Sequence, residues 1–514
     1  MSMRGLGRMS VVGSSVMLLL LAGGCGGPPG FLAEASRVGD VPPQFLSLPL
    51  HSSGTQALAT TDYHPVLDGH YLWSTSPGTG ATASGAPQPA GGAPLEGATA
   101  APPRVIPVSN APDSYQGETT AAGNGTALVA GSNSLQYGAF PDACISQPCR
   151  ARAYTSANGT SYTTSILPGT WNGASFDLTF DPAIDVDTSG NFYFVMGAAP
   201  AQADYPNSLG VSRAGPSGLG WATPTAVTFN THQYFDDKPW IAVDRSASSY
   251  RNRVYVGWDR NHSNNQILYL SYSSNGGTSW SPPIKVNDGN TGAERVFGAY
   301  PAVDHNTGTV YLSWLDYTAN NIYVDRSTSG GQTWGIDVAA VATHIGFGLV
   351  VPCVGGRSQR PAQHLRVGPS GTLHLVYTDG IAGRGLDILY ARSTDGGRSW
   401  STPVRVNDDS ADAHQFHATL SVTAGKGGND QLAVSFYDRR DDANNCLSHL
   451  YATSSSDSGL TWSPNVRLTS VASNFDGDPN GPGDYSSSAR LGKSTYPFFT
   501  DHSTADFEID TAPF

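Results

Sequence analysis

Residues 393–400 read Ser393-Thr-Asp395-Gly-Gly397-Arg-Ser-Trp400, and residues 455–462 read Ser455-Ser-Asp457-Ser-Gly459-Leu-Thr-Trp462. The same frame recurs as Ser273-Ser-Asn275-Gly-Gly277-Thr-Ser-Trp280 and as Ser327-Thr-Ser329-Gly-Gly331-Gln-Thr-Trp334. A short polar side chain at the third place accepts hydrogen bonds from the N–H groups of its own turn, and the glycine admits a positive φ. The tryptophan packs beneath the hairpin. Such a stretch builds a turn; it does no chemistry. Its repetition in register marks a fold made of equivalent hairpins.

Outward from these turns, one unit repeats. A first strand and a second strand, the latter ending in aromatic-Asp or aromatic-x-Asp, come before each turn, as in Trp240-Ile-Ala-Val-Asp244 with Val254-Tyr-Val-Gly-Trp-Asp259. A third strand leads into the turn and a short fourth strand leaves it. Tryptophans at 171, 221, 280, 334, 400 and 462 close the units at intervals of 50 to 66 residues, the length of a four-stranded propeller blade with its loops. No long segment carries apolar residues at helical spacing, so the chain reads as all-β. The turns resemble the Asp-box (BNR) repeats of sialidases and related β-propellers, over residues 104–514; the versions ending at Trp171 and Trp221 are degenerate. First strands begin near Glu118, Asp181, Lys238, Tyr300, Gln363, His417 and Asp484. The segment Arg104-Val-Ile-Pro-Val108 resembles fourth strands such as Ile284-Lys-Val-Asn287, so it is expected to complete the last blade and close a seven-bladed ring. Six blades, the number in sialidases, is the alternative.

Charged residues are 13% of the chain and the net charge is −13, which argues against a nucleic-acid partner. Arg4 and Arg8 precede an apolar run from Met9 to Leu21 that is too short to span a membrane comfortably. The run ends Leu21-Ala22-Gly23-Gly24-Cys25, which resembles a lipoprotein signal with Cys25 as the lipidated residue; the family prefers Leu where Ala22 stands. Residues 1–25 are thus read as a signal and 26–103, rich in Gly, Ala and Pro, as a flexible linker. Gly26 lacks the Asp that resembles an inner-membrane retention signal, so the outer membrane or cell surface is preferred. Four further cysteines in an exported chain read as disulfides. Cys144 and Cys149 lie in one loop and pair, leaving Cys353 with Cys446; a zinc site is the alternative.

In a propeller, loops entering first strands and loops leaving second strands meet at one mouth of the central channel, where ligands bind. Arg260, Arg295, Arg360, Arg439 and Arg440 all fall there. Guanidinium groups bind carboxylates bidentately, so a sialic or uronic acid would suit them; salt bridges to nearby aspartates are the competing expectation. The recurring Asp259, Asp316, Asp379, Asp438 and Asp501 read mainly as loop caps. Resemblance to sialidases would require three arginines, an Asp acid/base and a Tyr–Glu nucleophile pair. The family's Arg-Ile-Pro segment is matched only by Arg104-Val105-Ile106-Pro107. Tyr485 with Glu118, and Asp237 with Asp438, are the catalytic candidates, fixed by no motif. Asp476, Asp478, Asn480 and Asp484 resemble half of a calcium loop, with a plain Asx-rich turn as the alternative; no cofactor is otherwise required. The expected function is a monomeric envelope lipoprotein binding carbohydrate at the mouth. The alternatives are an exo-acting sialidase-type hydrolase and a non-catalytic interaction scaffold.

Overall fold

Alternation of apolar and polar residues over short segments, each ending in a turn, gives seven antiparallel sheets of four strands, the blades of a β-propeller. The computed structural model describes residues 104–514, apart from 112–113, 137–143, 145–147, 202, 204, 263–264, 290–294, 381–384, 411, 477–479 and 505, together with the paired dipeptides Tyr63–His64 and Leu72–Trp73. Cys25 and Asp478 lie outside the described residues.

Blades 1 to 6 each run in chain order from channel to rim, with innermost strands Ser114–Gly123, Leu178–Val186, Phe235–Val243, Val296–Val303, His364–Val367 and Gln415–Ala424. Blade 7 takes Ser487–Leu491, Ser494–Asp501 and Glu508–Thr511 from the end of the chain. Its outer strand is Ile106–Pro107, paired Ile106 to Thr511 and Pro107 to Asp510. The N-terminal strand therefore closes the ring and covers the edge that Glu508–Thr511 would otherwise expose. Each innermost strand packs on the next, and that of blade 7 packs on that of blade 1.

Between neighbouring blades lie apolar seams. Val195, Val211, Ile241 and Trp258 fill the seam of blades 2 and 3, and Leu312, Trp314, Val303 and Leu270 that of blades 3 and 4. The Ser-Gly-Trp turns lock these seams from outside. In blade 6, Gly459 N donates to Ser455 Oγ at 2.9 Å, and Leu460 N and Thr461 N donate to Asp457 Oδ1 at 3.0 and 2.9 Å. Gly459 has φ +80°, and a Cβ there would lie 2.3 Å from the Tyr390 ring of blade 5. Asn275 and Ser329 reproduce the pattern, accepting from Ser279 N at 3.0 Å and Thr333 N at 2.9 Å. Blade 1 differs from expectation. Its closing turn is Ser156–Tyr162, where Gly159 N donates to Ser156 Oγ at 2.8 Å and Ser161 N to Asn158 Oδ1 at 3.0 Å. Trp171 belongs to the small hairpin that follows, with its Nε1 on Ser208 Oγ at 2.9 Å. A turn one residue shorter and ending in tyrosine hides the repeat.

Both expected disulfides are present, Cys144–Cys149 and Cys353–Cys446.

Candidate functional site

The innermost strands carry the feature that builds the centre. In blades 1, 2, 3, 4 and 6 the pairing with the second strand slips between Gly117 and Thr120, Phe180 and Ala183, Asp237 and Trp240, Phe297 and Tyr300, and Phe416 and Thr419. At each slip one residue is left-handed: Glu118 (φ 55°), Asp181 (50°), Lys238 (46°), Gly298 (74°) and His417 (53°). The strands thus begin before these positions, not at them. Holding a residue other than glycine there costs about 1–3 kcal/mol. A bulge re-aims its side chain, and here the bulges converge on the channel axis.

Lys238 Nζ stands 2.9 Å from Asp181 Oδ1, 2.9 Å from Asp484 Oδ2 and 3.6 Å from Glu118 Oε1. All four residues are buried. Arg357 bridges the same acids, with Nε 2.8 Å from Asp484 Oδ1 and Nη2 2.8 Å from Glu118 Oε1, and Arg360 Nη1 also binds Asp484 Oδ1. Burial works against ionising Asp484, but Arg357, Arg360 and Lys238 outweigh it and hold the group well below the usual carboxylate range. Burial pushes Glu118 up to about 8 against the pull of Lys238, and pushes Asp259 up to about 8. Burial lowers His364 and His417 to about 3, so both imidazoles are neutral. Tyr485 packs tilted against Trp240 with ring centroids 4.8 Å apart, and burial with Asp181 and Glu118 nearby holds its phenol well above its ordinary value.

This cluster is a plug, and a strap covers it. The segment 343–363 crosses from blade 4 to blade 5, pairs Leu349–Val350 with Ser358–Gln359, and supplies Arg357 and Arg360. Buried Val351 and Val354 anchor it, the Cys353–Cys446 bond ties it to blade 6, and Arg439 Nη1 donates to Pro352 O at 2.7 Å.

The expected arginine cluster does not form as one group. Arg260 is bidentate to Asp236, at 2.6 and 2.8 Å. Arg440 holds Asp438 at 2.7 Å and also binds Asp408. Arg360 is in the plug. Arg439 is fully buried on the carbonyls of Pro352 and Asn445. Arg295 sits beside Tyr317. The abundance of nearby carboxylates explains the outcome: three of the five guanidinium groups find internal acids. Asp237 pairs across the strand ladder with Asp259 in blade 3, while Asp438 lies in blade 6 under Arg440 and Gln415, so the two are not a pair across one site. Tyr485 and Glu118 both lie in the buried cluster, but the Tyr485 hydroxyl donates to Pro182 O at 3.4 Å while Glu118 Oε2 accepts from Asn133 Nδ2. Asp484 is drawn into the plug by three cations, which removes it from the calcium loop; Asp476 is exposed and Asn480 half-buried. Among the described residues no group of three or more His, Cys, Asp or Glu is placed to hold a metal ion. Asp316 caps its loop, accepting from Thr318 N and Ala319 N at 2.9 Å each.

Outside the plug, on the same face, half-exposed rings line blades 3 and 4. Tyr234 packs edgewise on His262 at 4.9 Å, and Arg260 lies 4.9 Å over the Tyr234 ring. Tyr317 tilts against Phe347 of the strap at 4.7 Å and donates to Gln266 Oε1 of blade 3. Gln266 in turn donates to Asn261 Oδ1 at 2.8 Å. Arg357, Tyr234, His262 and Phe347 had no repeat or motif to single them out.

No protein-family model and no curated protein matches the chain. Among solved structures, a Hadza microbial sialidase is similar at 16% identity over 71% of this chain and 72% of its own, with a TM-score of 0.43. An ulvan lyase of a polysaccharide lyase family is similar at 10% identity over 79% and 95%, TM-score 0.47. The intramolecular trans-sialidase of Ruminococcus gnavus is similar at 12% identity over 80% and 97%, TM-score 0.40. At such identities and scores the chemistry rests on the residues of the site itself.

Proposed function

We propose that this chain is an exported propeller, anchored to the cell envelope through Cys25, that binds carbohydrate on the aromatic rim of blades 3 and 4. One observation carries the reading: Tyr234, His262, Tyr317 and Phe347 stand half-exposed on one face, interleaved with the amides Asn261 and Gln266. Aromatic faces take the C–H surface of a sugar ring, and planar amides take its hydroxyls in pairs; few polar groups on a largely aromatic surface make a ligand site. The linker 26–103 would hold this rim away from the lipid.

The test is a glycan array on purified protein followed by calorimetry. Tyr234→Ala and Tyr317→Ala should each weaken binding by roughly tenfold, about 1.4 kcal/mol, with unchanged melting. Equal binding by both variants, or no glycan bound by the wild type, overturns the rim. For the anchor, Cys25→Ser should move the protein to the soluble fraction.

A second reading, hydrolysis, rests on Tyr485 and Glu118 sharing one buried cluster with Arg357 and Arg360, where burial raises Glu118. An acid pushed to about 8 is suited to donate a proton at neutral pH. Turnover of fluorogenic sialosides, arabinosides or uronides that is lost in Glu118→Gln would establish it. The burial of the whole cluster favours binding at the rim.

A further inference from the structure

Beyond the plug, the channel continues to the opposite face, where the innermost strands end. There a cavity of ≈ 420 Å³ is lined by all seven innermost strands. Small side chains such as Ala121, Ala183, Ala242, Ala302 and Ser421 leave the space. Trp240 and Tyr300 form its inner wall, with ring centroids 4.5 Å apart. Tyr485 packs at a tilt against Trp240 from the plug's direction, so an aromatic layer divides the two halves of the channel.

The charges of this cavity are uneven. Its lining holds three guanidinium groups, Arg245, Arg366 and Arg490, against one carboxylate, Asp185. Arg245 is engaged, 2.7 Å from Asp185 Oδ1 and 2.9 Å from His305 Nε2. Arg366 gives hydrogen bonds to the Tyr300 hydroxyl and to Leu365 O, and Arg490 to Lys493 O at 2.7 Å. Among the described residues neither has a carboxylate within ion-pair distance, although the chain carries a net charge of −13 and Arg260, Arg360 and Arg440 at the other mouth are each paired with an acid. Burial alone lowers Arg490. Two guanidinium groups without counter-ions in one cavity favour an anion from outside. The size suits a molecule of one or two rings, since ligand cavities run about 300–1,000 Å³.

From these residues we infer that the rear channel is a second ligand site, distinct from the rim, for a small organic carboxylate. Arg366 receives the carboxylate at depth, where the guanidinium fork offers paired donors. The body of the ligand lies along Trp240, and Arg490 closes the outer end.

The experiment uses the exported protein without its signal, with glucuronate, benzoate and inorganic phosphate as probes, read by calorimetry and by tryptophan fluorescence. Wild type should bind glucuronate or benzoate saturably and more tightly than phosphate, more weakly at high salt. Arg366→Ala and Arg490→Ala should each lose roughly tenfold or more in affinity, while Arg398→Ala, on an outer turn, should not. Arg490 lies at the cavity's outer end, so its variant keeps the test decisive if Arg366→Ala melts early. No saturable binding of either carboxylate up to about 10 mM, affinity unchanged in Arg490→Ala, or preference for phosphate overturns the inference.

Discussion

Removing one charge from the plug gives the sharpest test of its role. Lys238→Met keeps the side chain's unbranched stem, one atom shorter, and deletes the ammonium. Asp181 Oδ1 then loses its 2.9 Å partner, while Asp484 keeps Arg357 and Arg360. Breaking a buried pair by deleting one partner costs about 3–5 kcal/mol, because the remaining charge stays buried without compensation. A folded body of roughly 400 residues melts with about 0.8 kcal/mol per degree of unfolding entropy, so the melting temperature should fall by about 4–6 °C. The deficit should depend on pH with a definite sign. Without Lys238 the folded-state carboxyls titrate higher than the unfolded ones, so the variant is least impaired in acid, where they are protonated. It is most impaired near pH 8. Urea denaturation followed by tryptophan emission at pH 5 and pH 8 measures both. A loss below about 1 kcal/mol at pH 8, or a larger loss at pH 5 than at pH 8, would refute the assignment of Lys238 as the counter-charge.

Glu118→Gln tests the proton on the plug. The folded Glu118 sits near 8 against 4.5 in the open chain, so its stabilising proton is fully present below about 4.5 and lost as pH rises through 8. Thermal melting from pH 5 to 9 should therefore decline less steeply in the variant, Asp259 leaving some slope in the same window; identical slopes would contradict the burial of a protonated acid. Deleting residues 104–109 removes the strand paired to Glu508–Thr511 and the Val108 N to Ile509 O bond at 3.0 Å. The bared edge should cause self-association by light scattering together with earlier melting; a monomer of unchanged melting would mean the closing strand is dispensable.

The ring was legible because its stabilising unit is local. Ser455, Asp457 and Gly459 bond within one turn that ends at Trp462, all inside eight residues, so the sequence alone reports the turn. Closure by Ile106–Pro107 was legible for a similar reason: a strand without a partner near the beginning matched a blade lacking one at the end. The plug was not. Glu118, Asp181, Lys238 and His417 look like ordinary strand residues, and nothing in their types announces a left-handed φ; only Gly298 fits that conformation without strain. Asp484 stood in an Asp-rich turn with calcium-like spacing, yet cations distant in sequence, Lys238 and Arg357, draw it inward. The strap carries no repeat, so Arg357 had no pattern to betray it. Local geometry leaves a mark every few residues; long-range electrostatics leaves none.

A propeller's axis must be filled, and apolar side chains would fill it at lower cost than ions. This chain instead spends four strained, non-glycine bulges and a disulfide-tethered strap on holding Lys238, Arg357 and Arg360 among Glu118, Asp181 and Asp484. Two of those cations come from the strap and one from a bulge, so lifting the strap would take Arg357 and Arg360 from Asp484 and Arg357 from Glu118, leaving both acids to Lys238 alone. The plug is therefore the device that seats the strap, and Phe347 on the strap completes the rim by packing on Tyr317. The same charges are screened from the rear cavity by Trp240, Tyr300 and Tyr485, which is why Arg366 is left facing that cavity without an acid of its own. The uneven distribution of charge along one axis follows from where the bulges fall: Glu118, Asp181 and Lys238 at the slip points belong to the plug, and residues after the slips line the rear cavity.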